Sequence, residues 1–74
     1  MVIFFVLLTI DPNKEQIVIK KVEKIPEVVN TYILKGEFNI LLKLSGNHSE
    51  LQKIVLGPLR QIREIRQTLT LIEV

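Results

Sequence analysis

The chain has 74 residues, 47% of them hydrophobic, with ten Lys and Arg against eight Asp and Glu and a formal net charge of +2. It contains no Cys and a single His, His48, which excludes disulfides, thiolate metal sites and a His-rich metal centre within one chain. A domain this small buries only about 60% of the surface its unfolded chain exposes, so so high an apolar content favours association with partners.

The opening run MVIFFVLLTI is apolar at every position but Thr9. It does not read as an export signal: no Lys or Arg precedes it, and no small residue follows where a peptidase would cut. A membrane span takes about 20 apolar residues, and this run stops at Asp11. A cytoplasmic protein with no membrane association is expected. The β-branched and aromatic composition predicts a strand from Val2 to Ile10. Asp11 is then the expected N-cap of a first helix, with Pro12 at its first position and Glu15 in its first turn. That helix is predicted to run to about Lys24, burying Val18, Val22 and Ile25 with Ile17 beside them, before Pro26 stops it.

EVVNTYILK reads as a second strand and FNILLKL as a third, joined by a tight turn at Gly36-Glu37 as an antiparallel hairpin. SGNHSE supplies turn and cap chemistry, and a second helix is expected from His48 or Ser49. Its apolar face comprises Leu51, Ile54, Val55, Leu59 and Ile62. Gly57-Pro58 interrupts it; proline inside a helix costs about 3 kcal/mol, so a kink or restart is expected there. IRQTLTLIEV closes the chain as a fourth strand.

The order β-α-β-β-α-β, with right-handed crossovers, specifies an α+β, ferredoxin-like fold. Both helices lie on one face of a four-stranded antiparallel sheet of order 4-1-3-2. The other face should be wet and its strands should alternate. They do not: Ile3, Phe5 and Leu7 back the even-numbered apolar set of the first strand, and Leu41 faces the same way from the third. Such an uncovered face rivals the largest apolar patch of a typical monomer, about 300–600 Å². A homodimer, sheet against sheet, is the expected solution.

IFFVLLTIDPNKE, KIPEVVNTYILKGEFNILLKL and IRQTLTLIEV, in that order, resemble the regulatory (RAM) domain of the Lrp/AsnC transcription regulators across essentially the whole chain. The resemblance implies dimers assembling further, often to octamers. It also implies amino-acid effectors bound in clefts between dimers, near the hairpin turn and closing strand. Carried onto this chain, the implied ligand-binding residues are Tyr32, Gly36, Glu37, Asn39, Thr68 and Thr70. Gly36 would offer its backbone amide to a carboxylate, Glu37 would pair with an ammonium, and the threonine hydroxyls would bond either. The family commonly carries Asp where this chain has Asn39, which removes a negative charge and should weaken ammonium binding or change the preferred ligand. It also commonly ends its second helix with Pro-Gly, where this chain has Arg63-Glu64. Members usually carry an N-terminal helix-turn-helix domain. With the first strand starting at Met1, residues 1–74 are expected to form a single ligand-binding domain without that part, able to join full-length regulators of the family.

Two other functions fit the strand order. Small ferredoxin-like dimers include cofactor-independent monooxygenases and isomerases, which need an acid, base or nucleophile inside a cavity. This chain has no Cys and no Ser-His pairing at a useful spacing, and His48 reads as a surface or capping residue. No catalytic residue, metal or cofactor is expected. An RNA recognition motif displays aromatic and basic residues on its central strands, where this chain has Leu7, Ile40 and Leu42. Arg60, Arg63 and Arg66 form the one basic run and read as a surface feature, without direct nucleic-acid contact.

Overall fold

A computed structural model describes all 74 residues. The first strand, β1 (Val2–Ile10), has the expected bounds. It is followed by α1 (Glu15–Val22), β2 (Val28–Ile33), β3 (Ile40–Gly46), α2 (His48–Leu56), a short 3-10 turn (Pro58–Gln61) and β4 (Ile65–Ile72). The sheet order β2-β3-β1-β4 is the expected one, with β1 and β3 central and every neighbouring pair antiparallel.

The even positions of β1 and β3 make the core. Phe4, Val6, Leu8 and Ile10 from β1 and Ile40, Leu42 and Leu44 from β3 are buried against Val18 and Val22 of α1 and Leu51, Ile54 and Val55 of α2. Leu59, from the 3-10 turn, completes this layer with no exposed surface. Period-two patterning in the strands thus meets period-3.6 patterning in the helices.

Three local expectations need correction. Asp11 does not cap α1: its carboxylate accepts a hydrogen bond from Arg66 Nε, and its own N–H donates to the Glu64 carbonyl at 2.9 Å. Asp11-Pro12-Asn13 is spent on a turn in which Asn13 adopts φ +64°, a conformation Asn tolerates. The helix therefore starts only at Glu15, without a side-chain cap. It also ends earlier, at Val22. Ile25 follows in a tightened turn, its N–H donating to the Val22 carbonyl at 3.0 Å, because a residue before proline disfavours the helical region. Ile25 still packs on the core, whereas Ile17 is 41% exposed.

The third correction is the hairpin. Residues 34–39 form a loop in place of a tight turn, closed by the Leu34 N–H donating to the Asn39 carbonyl at 2.7 Å. The second helix, by contrast, follows expectation. Asn47 caps it, accepting from the Ser49 N–H at 3.0 Å, and the helix stops at Gly57-Pro58 and restarts as the 3-10 turn.

Two bulges re-aim residues on the edge strands. In β4, Thr9 pairs with Gln67 while Ile10 pairs with Ile65, so Arg66 is the extra residue. In β2 the register shifts between Val28 and Asn30, leaving Val29 unpaired.

Candidate functional site

The six residues implied by family resemblance fall on three surfaces of one subunit. The first lies at the C-terminal end of β1, where the 34–39 loop docks. The Asn39 N–H donates to the Leu8 carbonyl at 2.7 Å, continuing the β1–β3 ladder beyond Ile40. The Asn39 side chain is bonded at both ends of its amide: Oδ1 accepts from the Ile10 N–H at 3.0 Å, and Nδ2 donates to the Gly36 carbonyl at 3.2 Å. Thr9 Oγ1 donates to the Glu37 carbonyl at 2.9 Å. Loop and strand are thereby clipped together at three points. The Glu37 side chain is exposed and has no ion-pair partner.

Gly36 sits at the apex with φ +141°, in a region side-chain-bearing residues rarely enter. A Cβ there would meet no atom within 4 Å, so backbone conformation rather than crowding requires glycine. That open space leaves the backbone approachable from outside. Thr9 is the neighbour holding this loop that sequence reasoning missed. Its signal was its isolation as the one polar residue in the opening strand.

Tyr32 belongs to the second surface, the sheet face away from the helices. It pairs with Leu41, which pairs with Leu7, which pairs with Leu69, so the four form one row across all four strands. The next row is Asn30, Lys43, Phe5 and Leu71. Tyr32, Leu69 and Leu71 are 47%, 44% and 50% exposed, and Phe5, Leu7 and Leu41 are half-buried. The face is apolar through its centre, with Asn30 and Lys43 toward the β2 side.

Thr68 and Thr70 occupy the third surface, on the helix side of β4, opposite the buried Leu8 and Val6. They line a cleft of about 330 Å³ between β4 and α2, walled by Val55, Leu56, Arg60 and Ile72. The end of β1 stands between the docked loop and β4, with Leu8 paired to Thr68 and Thr9 to Gln67. Within one subunit the six residues do not share a pocket.

Ion pairs brace the turn regions around these surfaces. Lys21 Nζ lies 2.7 Å from Glu64 Oε1, and this hydrogen bond holds the Glu64 carboxyl below its ordinary range. Arg66 pairs with Asp11, while Arg60 and Arg63 have no acidic partner. No cluster of three or more His, Asp or Glu side chains is arranged to hold a metal ion, and no helix is long and apolar enough to cross a membrane.

Comparison with known proteins fits this geometry. The family model described as the Lrp/AsnC ligand binding domain matches residues 3–73. An uncharacterised HTH-type transcriptional regulator of Pyrococcus furiosus is 39% identical, the match covering 92% of this chain and 48% of that protein. The chain thus spans about half the length of the curated relatives it matches. Among solved structures, FFRP-DM1 superposes with a TM-score of 0.93 at 29% identity over the whole of both chains. Escherichia coli AsnC superposes at 0.89 and 25% identity, covering 99% of this chain and 50% of that one. The curated relatives are named as transcriptional regulators rather than enzymes. Sheet order, helix placement and this match agree: the chain belongs to the Lrp/AsnC ligand-binding domain family.

Proposed function

We propose that this chain is an oligomeric effector-binding module: it binds an amino acid or similar small metabolite at subunit interfaces and thereby modulates transcription regulation. The observation that carries the proposal is the family match over residues 3–73. A related regulator from Neisseria meningitidis was solved as a complex with L-Met, which supports a small amino-acid-like ligand. The apolar rows Tyr32–Leu41–Leu7–Leu69 and Phe5–Leu71 support pairing with a second copy, sheet against sheet. Further assembly into a tetramer of dimers, or with full-length regulators of the family, would bring the three surfaces from different subunits together. In that arrangement Gly36 offers its backbone, Glu37 its free carboxylate, and Tyr32, Thr68 and Thr70 their hydroxyls. Asn39 acts through the loop, because both ends of its amide are already bonded within the chain.

Light scattering combined with thermal melts against the twenty amino acids tests this reading. The expected result is a mass above the monomer's 8.6 kDa and a melting temperature raised by one or a few amino acids through ligand linkage. A monomeric mass together with twenty flat melts would overturn it.

A further inference from the structure

Two clefts along β4 share a wall. One, of about 360 Å³, is lined by Arg60, Ile65, Arg66, Gln67 and Thr68. The other, of about 330 Å³, continues past Arg60 and Thr68 to Thr70, Leu56 and Ile72, with Phe4 and Val55 behind and Gln52 as the one polar side chain from α2. Because Arg60 and Thr68 line both, the two form one trough along the outer edge of the sheet. Its ends differ in chemistry. At the start of β4 the bulge presents Arg66 beside Arg60, and at the far end Leu56 and Ile72 are 59% and 47% exposed.

We infer that this trough binds a small aliphatic carboxylate that carries no ammonium group, such as a branched 2-oxo acid. The inference rests on reading the chain as an effector-binding module, and it names the ligand class for the surface that holds Thr68 and Thr70. Arg60 has no acidic partner and presents its whole guanidinium fork, the geometry suited to a carboxylate. Arg66 uses Nε on Asp11, which leaves its terminal nitrogens free to donate. Thr68 and Thr70 add hydroxyls able to donate to a carboxylate or oxo oxygen. At the Arg end Asp11 is already engaged by Arg66, and Glu64, which precedes Ile65, by Lys21. Within one subunit no carboxylate lines the trough, so an α-ammonium here would depend on an acid from another subunit, while Arg60 and Arg66 both line the same end. Leu56 and Ile72 offer an apolar wall for a branched tail, and the trough is within the size range of small-molecule sites.

Calorimetric titration of the intact chain with 4-methyl-2-oxopentanoate, L-leucine, 3-methylbutylamine and 3-methylbutan-1-ol tests the inference. Amide chemical-shift mapping of the same titrations accompanies it. The oxo acid should bind, shift the amides of Leu56, Thr68 and Thr70, and lose roughly ten-fold or more in affinity in Arg60→Gln. L-Leucine should bind more weakly, and the amine and alcohol not at all. Shift mapping on the unaltered protein keeps the test independent of how the variant folds. Binding of L-leucine but not of the oxo acid would overturn the inference while the effector-binding reading stood. Oxo-acid binding that Arg60→Gln leaves unchanged, or that shifts only the 34–39 loop, would overturn the site. Binding of the oxo acid here with no amino acid bound anywhere would uphold the site and remove amino acids as the effector.

Discussion

Asn39 shows what an amide does at this loop that a carboxylate would not. Its amide accepts from the Ile10 N–H and donates to the Gly36 carbonyl, and a carboxylate can do only the first. Asn39→Ala strands the Ile10 N–H in a part-buried position and should cost about 1–3 kcal/mol. Asn39→Asp keeps that bond and loses the Gly36 contact, so it should cost about 1 kcal/mol or less. Urea midpoints at constant slope would show this order; equal losses would mean the Ile10 bond contributes nothing. Gly36→Ala separates conformation from crowding at the apex of the same loop. No atom stands within 4 Å of the added methyl, yet φ +141° is strained for alanine, so a loss above about 1 kcal/mol is expected from backbone alone. These bonds could not be read from sequence. Asn39 and Thr9 are separated by most of a crossover and a hairpin, and only the assembled sheet brings them to the same loop.

α1 is the shortest-reaching part of the fold, with only Val18 and Val22 fully buried. Lys21 on its last turn reaches Glu64, which precedes β4, and so ties α1 to the far edge of the sheet. Glu64 titrates below its ordinary value of 4.5 because Lys21 bonds its charged form. A depressed carboxyl pKa contributes stability that is present above the unfolded value and is lost as pH falls through the folded one. Wild type should therefore melt above Lys21→Met at pH 7, and the gap should close as pH drops well below 4.5. A gap that persists in acid would assign it to the packing of the Lys21 stem instead. The helices also mark where sequence reading reached its limit. α2 was legible because Asn47 caps it and Gly57-Pro58 stops it by local chemistry. The start of α1 was not, because Asp11, a good cap by type, is drawn to Arg66 across the sheet. The existence and order of the strands were legible, but β1 is apolar on both faces, so which face packs under the helices needed the assembled sheet, as did the bulges and the shortened ends of the hairpin strands.

The sheet face remote from the helices joins fold to function. Its apolar character was visible in the sequence as a strand that fails to alternate, while the rows that organise it needed the register. In an isolated chain Leu71 is half exposed, and a change to lysine there should alter stability by no more than about 0.5 kcal/mol. Between two facing sheets the same lysine would place an unpaired charge beside Phe5, its cross-strand neighbour, at a cost of several kcal/mol. Leu71→Lys is therefore expected to halve the light-scattering mass or reduce it further. The melting temperature of wild type should rise with protein concentration, and that of the variant should not. Ile33→Lys is the matched control: Ile33 is 54% exposed but pairs with the buried Ile40, on the helix side of the sheet. Its substitution should leave the dimer intact. If both variants keep the wild-type mass, the face does not join subunits; if Ile33→Lys alone dissociates, the helix side of the β2 edge does.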